Sequence, residues 1–427
     1  MKPLTKSLLT TLLLLVWPVI SYANEDSENA RLPLEELRYF TQVFDQIRQA
    51  YVEEIDDQAL LEMAISGLLN GLDPHSLYLD EKAFGELQES TSGEFGGLGI
   101  EVGMEGSFIK VISPIDDTPA YRAGIQAGDL IIKLDDQLVQ GMTLTEAIEL
   151  MRGPKGSKVT LTVVRQNTEG PFEVEITRDI IQVMSVRQRT LEPGFGYVRI
   201  AHFQENTGAD FREALSDLQK QKDGLKGLVL DLRNNPGGLL NSSVDVADAL
   251  LDGGLVVYTE GRIPSSKEQF YATAGDALNG IPVVVLINEG SASAAEIVAG
   301  ALQDHHRAVL LGTSSFGKGS VQTVIPLGAE RAIKLTTARY YTPNKRSIQA
   351  EGIQPDIIVR PAEIHLLETQ KQIKEANLTG HLSSGNDKQS ADKDDLLQTD
   401  NQLYEAINLL QGLEIFSRNT SRADAGQ

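Results

Sequence analysis

Apolar residues recur three and four apart through Leu37, Phe40, Val43, Phe44 and Ile47, and again through Leu60, Met63, Ala64 and Leu68. That is the spacing of one helical face, so residues from about Leu34 to Ser90 are expected to be helical, with Asp73-Pro74-His75-Ser76 as a turn. From about Gly93 the pattern changes. Phe108–Ile112, Leu130–Leu134 and Lys158–Arg165 read as strands, Thr143 to Met151 as a helix, and Pro119 to Asp129 as a short helix and turn. From about Ile180 strands and helices alternate: Gly196–Ile200 then Thr207–Lys220, Gly227–Leu232 then Leu239–Leu251, Pro282–Ile287 then Ser293–Leu302. Alternation of this kind predicts an α/β layered core. After Ala362 a helical stretch runs to about Leu378, a polar segment from Ser383 to Asp395 reads as a linker, and Leu403, Ile407, Leu410 and Leu413 form a last apolar stripe. The expected fold is multidomain α/β: a helical N-terminal arm, a β-rich module inserted before the α/β core, and a helical C-terminal tail. Arm and tail both read as packing, docking or oligomerisation elements, and the chain is expected to form a homo-oligomer.

The first residues alter the picture. Lys2 and Lys6 precede an apolar stretch from Leu8 to Ile20, and Ser21-Tyr22-Ala23 fits a small-x-small cleavage site. This predicts a secretory leader cleaved after Ala23, because the apolar stretch falls short of the roughly 20 residues a spanning helix wants. The expected boundaries are 1–23 leader, 24–92 helical region, 93–179 β-rich module, 180–362 core and 363–427 tail. No later run reaches spanning length. The 427 residues carry a formal charge of −22, which becomes −24 once the two leader lysines are gone. That balance argues against nucleic acid, whose phosphates need a basic surface. The chain contains no cysteine, which excludes disulfides, thiol nucleophiles and a lipid anchor of the bacterial lipoprotein kind. An exported, periplasmic protein is expected, held to the membrane only through partners.

Three segments carry residues suited to chemistry. Gly290-Ser-Ala-Ser-Ala-Ala-Glu296 follows the apolar run Val283–Ile287 and opens a helix, so Ser293 sits where unpaired amides and the helix dipole favour a developing oxyanion. Ser293 also suits the ordinary serine role of an N-cap, and Ser291 competes for either place. Phe316-Gly-Lys-Gly-Ser-Val-Gln322 places Lys318 between two glycines. A lysine can take a serine's proton only if its pKa falls well below the ordinary value of about 10.4, and a dry pocket achieves this. Gln322 is placed to orient such an amine. In Gly227-Leu-Val-Leu-Asp-Leu-Arg-Asn-Asn-Pro-Gly-Gly238 a buried strand leads to glycines whose amides can approach a carbonyl. Gly238 is the candidate oxyanion donor, with Gly237 close behind, while Asp231 and Arg233 read as braces of the loop.

The β-rich module resembles a PDZ domain, on the glycine-rich loop Gly97-Leu98-Gly99-Ile100 together with Ala123-Gly-Ile-Gln-Ala-Gly-Asp129. That resemblance implies that the amides of the loop hold a peptide's C-terminal carboxylate while the peptide adds as a strand. The order Asn-Pro-Gly-Gly, Gly-Ser-Ala-Ser-Ala-x-Glu, Phe-Gly-Lys-Gly-x-Val-Gln resembles the carboxy-terminal processing, or tail-specific, serine proteases. It implies Ser293 as nucleophile, Lys318 as base, Gln322 as the residue orienting it, and the amide of Ala294 as second oxyanion donor beside Gly238. No metal or organic cofactor is implied. The partners implied are proteins with exposed apolar C-terminal tails, and an activating adaptor protein fits the arm and tail. Many members carry a second serine where this chain has Ala295.

Other readings fit less well. Gly312-Thr-Ser-Ser-Phe-Gly-Lys318 is nearly a phosphate-binding loop, but Gly319 stands where a serine or threonine belongs. Ser315-Phe-Gly-Lys318 matches the Ser-x-x-Lys of penicillin-recognising enzymes without their partner motifs. The six histidines show no metal-type spacing, and a Ser-His-Asp triad would make His202 or His305 essential. A peptide-binding scaffold with an inactive hydrolase core is the non-enzyme alternative.

Overall fold

The computed structural model describes residues 33–362 and 399–424 apart from Asp116, Asn167 and Asp223, with side chains as far as Phe416. The expected leader, the helical stretch after Ala362 and the linker Ser383–Asp395 lie outside the described residues. The chain divides at Leu68 into two compact units. The first holds α1 (Leu34–Ala50) and most of α2 (Asp57–Asn70). The apolar stripe predicted for α1 is present, and Leu37, Phe40 and Val43 on it are exposed.

The second unit opens with the Asp73–Ser76 turn, β1 (Leu77–Leu79) and α3 (Glu81–Ser92). Asp80 caps α3, accepting the Ala83 N–H at 2.8 Å. The PDZ module follows: β2 (Glu94–Gly97), β3 (Ile100–Glu105), β4 (Phe108–Pro114), α4 (Pro119–Arg122), β5 (Leu130–Leu134), β6 (Gln137–Leu138), α5 (Leu144–Met151), β7 (Lys158–Val164), β8 (Phe172–Thr177) and β9 (Asp179–Gln182). Its sheet runs β3-β4-β5-β7-β8, with β6 on β5. Alternate residues of β7, Val159, Leu161 and Val163, enter the module's core with Ile109 and Ile131. Thr143 and Glu146 close a capping box at α5. Antiparallel pairing of β2 with β9 brings the entering and leaving strands side by side.

The core comprises β10 (Val186–Glu192), β11 (Phe195–Ile200), α6 (Thr207–Gln219), β12 (Gly227–Asp231), α7 (Leu240–Asp248), β13 (Gly254–Gly261), β14 (Gln269–Ala272), β15 (Val283–Ile287), α8 (Ala294–Asp304), β16 (Val309–Gly312), β17 (Ser320–Pro326), β18 (Ala332–Tyr341), β19 (Ile357–Ile358) and α9 (Asn401–Asp424). One sheet has the order β10-β11-β12-β15-β16-β19 and is parallel from β11 onward. Every residue of β12 and β15 is buried, as in parallel strands covered on both faces. Residues of α6, α7 and α8 form one core cluster with this sheet, among them Phe211, Val246 and Val298. A second sheet, β1-β18-β13-β14 with β17 on β18, was not anticipated from the sequence.

The other face of the parallel sheet is closed by α9. Leu403, Ala406, Ile407 and Leu410 pack on Val229, Val284, Leu286 and Leu311. Arg233 fastens the start of this helix, donating to Asp400 at 2.8 and 2.9 Å and to Gln402 Oε1 at 2.9 Å. Three residues of the tail stripe expected to serve assembly are therefore spent on the chain's own core. Asp231 and Arg233 do brace the loop, as expected: Asp231 also accepts the Tyr197 hydroxyl at 2.8 Å. Loops 232–239, 288–293 and 313–319 all leave the carboxyl ends of parallel strands, the edge where α/β sheets build their sites.

Candidate active site

Ser293 caps α8 by position, but its backbone is not that of an ordinary cap. N-cap residues favour the β region, whereas Ser293 has φ 57° and ψ −116°. A serine held at a positive φ between a strand and a helix carries strain that persists only where the surroundings impose it, and such strain collects at reactive positions. Gly237 forms part of those surroundings. A Cβ there would lie 2.7 Å from the Ser293 Cβ and 3.0 Å from the Ala294 nitrogen, and its φ is 103°. Ser291 does not compete: it is fully buried, donates to Leu232 O at 2.7 Å and accepts from Asn288 N at 3.0 Å.

Glu296 ties the segments together, and its role was not assigned from the sequence. Its Oε2 accepts the backbone N–H of Ser293 at 2.7 Å and that of Lys318 at 2.9 Å. Its Oε1 accepts Gly317 N–H at 2.7 Å and Ser315 Oγ–H at 2.5 Å. The backbones of Ser293 and Lys318 are thus one carboxylate oxygen apart. Burial raises the Glu296 pKa against the pull of these four donors, but four donors suit only the ionised form. The signal was legible: Ser293-Ala-Ala-Glu296 is the spacing of a capping box, and Glu296 is the lone charge in an otherwise small, apolar helical turn.

Ser293, Ala294, Gly238, Lys318 and Gln322 all line one cavity of about 340 Å³. Tyr340, also missed from the sequence, lines it as well and donates its hydroxyl to the carbonyl of Lys318. Burial pushes the Lys318 amine below the ordinary lysine value; the charge of Lys334 adds to this and that of Glu296 opposes it. Ala294 is the first residue of α8, where helix amides have no intrahelical partner. The Gly238 loop is fixed by its neighbours, with Phe203 N–H donating to Gly237 O and Leu239 N–H to Phe203 O, both at 2.9 Å. A Cβ on Gly238 would lie 2.1 Å from Phe203 O, at φ 141°, so only glycine fits. Fully buried Asn235, another unassigned residue, donates to Ile200 O at 2.8 Å and accepts the Gly237 N–H at 2.9 Å.

Gln322 is held at its amino end. Its Nε2 donates to Ser320 Oγ at 2.9 Å and Thr336 Oγ1 at 3.3 Å, so its amino end faces hydroxyls rather than the amine. The phosphate-loop reading fails because the Gly317 and Lys318 amides are occupied by Glu296. The Ser-x-x-Lys reading fails because Ser315 is bonded to Glu296 and to Ile353 N. His305 is bonded to Leu255 O. His202 lines the cavity with a buried Nδ1 that has no hydrogen-bond partner among the described residues, and burial lowers its pKa. In the PDZ module, Gly97, Leu98, Gly99 and Ile100 line an apolar groove of about 170 Å³ with Val102 and Ile148.

A parallel-sheet core, a strained serine at its carboxyl edge and an attached PDZ module define a serine peptidase of the PDZ-bearing kind. Residues 194–359 match the model of peptidase family S41, residues 110–165 that of the PDZ domain, and residues 19–83 that of the N-terminal domain of the activating protease CtpB. The chain is 48% identical over 397 residues to a carboxy-terminal-processing protease of Bartonella bacilliformis, covering 90% of this chain and 91% of that one. It is 36% identical over 315 residues to the carboxy-terminal processing protease CtpA of Bacillus subtilis, covering 74% and 67%. Among solved structures, the photosystem II D1 C-terminal processing protease is 31% identical, covering 76% of this chain and 93% of that one, with a TM-score of 0.45. The chain belongs to peptidase family S41, among its carboxy-terminal processing proteases.

Lys334 offers a test of the cavity's electrostatics. Replacing it by methionine removes a positive neighbour, so the Lys318 pKa rises and less of the amine is neutral at pH 7. His75 and Glu296 are the other charged or titratable groups coupled to this lysine pair. The expected result in a pH–rate series is an acid limb of kcat/KM displaced to higher pH, with a severalfold loss near neutrality. An unmoved limb would separate it from Lys318.

Proposed function

We propose that this chain is an exported endopeptidase that takes the apolar C-terminal tail of a partly unfolded protein in its PDZ groove and cleaves near that tail with a Ser293–Lys318 dyad. The observation that carries the reading is the Glu296 oxygen shared by the Ser293 and Lys318 amides, beside a cavity that Gly238 and Gln322 also line.

Neutral Lys318 takes the proton of Ser293 as Oγ attacks a peptide carbonyl. The amides of Gly238 and Ala294 receive the oxyanion. The Lys318 ammonium, oriented by Gln322, protonates the leaving amine, and water then hydrolyses the acyl-enzyme. No step calls for a metal or an organic cofactor. The leader-like residues 1–23 support export to the periplasm, and a mature chain whose mass fits a start at Asn24 would show that the leader is cleaved. The exposed stripe of α1 supports an assembly role, with another copy or an activating adaptor.

Tail capture is tested with an unstructured protein ending in small apolar residues. Amidating its C-terminal carboxylate is expected to raise KM about tenfold or more, because a charge-assisted set of bonds to the loop amides is lost. Equal KM values for the acid and the amide would remove the groove from substrate capture.

A further inference from the structure

A hydrogen-bonded line runs from the Asp73–Ser76 turn to the cavity. Thr336 Oγ1 donates to Asp73 Oδ1 at 3.1 Å and accepts from Gln322 Nε2 at 3.3 Å. Asp73 also accepts the His75 and Ser76 N–H groups at 2.8 and 2.9 Å and the Ser76 hydroxyl at 2.7 Å. Ser76 is fully buried and its oxygen accepts the Thr336 N–H at 3.1 Å. β1, directly after the turn, pairs Leu77 with Lys334 and Tyr78 with Ile333. The turn is thereby fixed to the strand that carries Thr336.

Counting protons along this line gives it a direction. A threonine hydroxyl has one proton. Asp73 accepts from four donors, so its ionised form is the one that fits. Burial pushes its pKa up, but the bonds from Ser76, His75 and Thr336 outweigh this and hold it below the ordinary carboxylate value. The single Thr336 proton is committed to this charge, leaving only lone pairs to face Gln322. Gln322 must therefore present its amino group to Thr336. Its carbonyl oxygen, the one end able to accept from an ammonium, is then not the end committed to Thr336, and Gln322 lines the same cavity as Lys318. A flipped amide would set acceptor against acceptor at Thr336.

We infer that Asp73, acting through Thr336, is a positioning residue that fixes which way the Gln322 amide faces and so orients Lys318. This rests on the dyad reading above. The test measures kcat and KM of the full chain on an unstructured protein ending in small apolar residues. Asp73→Asn, Thr336→Val and Thr336→Ser are compared, alone and in a Gln322→Ala background. Asp73→Asn and Thr336→Val are expected to lower kcat about tenfold to a hundredfold with KM unchanged, as losing a bond in a charged network does. Thr336→Ser, which keeps the hydroxyl, is expected to retain wild-type kcat. In the Gln322→Ala background Asp73→Asn and Thr336→Val are expected to cost nothing further. Losses of equal size in both backgrounds, or full activity in Thr336→Val, would overturn the inference. Lys318→Ala run beside them separates the two ideas: if it cleaves like wild type the dyad itself is wrong, whereas an inactive Lys318→Ala with additive losses defeats only the relay.

Discussion

Replacing Lys318 by methionine is expected to lower kcat by about a thousandfold or more while leaving KM nearly unchanged. Methionine keeps an unbranched stem against the cavity wall and removes only the amine, so substrate contacts survive while the proton acceptor is lost. General-base catalysis contributes about 10²- to 10⁴-fold, and in the proposed mechanism the same group also protonates the leaving amine. Ser293→Ala is expected to fall at least as far. The double variant is expected to be no worse than either single one, because residues that act as a unit lose their effect together. Steady-state kinetics on a tail-bearing unstructured protein decide this. A Lys318→Met protein within a few-fold of wild type would point back to His202, the histidine that lines the same cavity.

Removing the Glu296 carboxylate is expected to have the largest combined effect on stability and activity. Glu296→Ala leaves three N–H groups and one hydroxyl facing a fully buried space. Each unsatisfied buried donor costs about 1–3 kcal/mol, so the total is a large fraction of the roughly 5–15 kcal/mol that holds a typical domain folded. The expected result is a melting temperature lower by about 10 °C or more, at 2–4 °C per kcal/mol for a domain of this size. Activity is expected to fall by more than about a hundredfold, because the serine and lysine segments lose their shared acceptor. Thermal unfolding followed by a cleavage assay reads both. A Glu296→Ala protein that melts and cleaves as wild type does would show that the shared oxygen holds nothing in place.

The sequence was most readable where local pattern and burial agree. Val283–Ile287 and Leu228–Leu230 are apolar without interruption, and they lie in the central parallel strands. The helix after Ser293 is small and apolar and is buried on all sides. Ser293 and Gly238 stand out because a strand-to-helix turn and paired glycines mark backbone of unusual conformation, and both have positive φ; Lys318 stands out by its flanking glycines and Gln322 by its spacing from that lysine. Long-range partners were not legible. β1 spans three residues whose strand identity comes entirely from β18, more than 250 positions away. The stripe Leu403, Ile407, Leu410 announced a surface to be covered but not that the chain's own sheet covers it. The role of Glu296 is not legible in its motif, because a capping-box glutamate usually serves only its own helix. Here it serves Gly317 and Lys318 as well, and no local pattern records that.

The most direct test is to treat wild type and Lys318→Met with a fluorophosphonate, digest each, and locate the adduct by mass spectrometry. The prediction is one adduct on the peptide carrying Ser293 in the wild type, formed at a rate that rises with pH along the acid limb of kcat/KM. Lys318→Met should form it at least about a hundredfold more slowly. An adduct on another serine, or equal labelling of Ser293 in both proteins, would contradict the account.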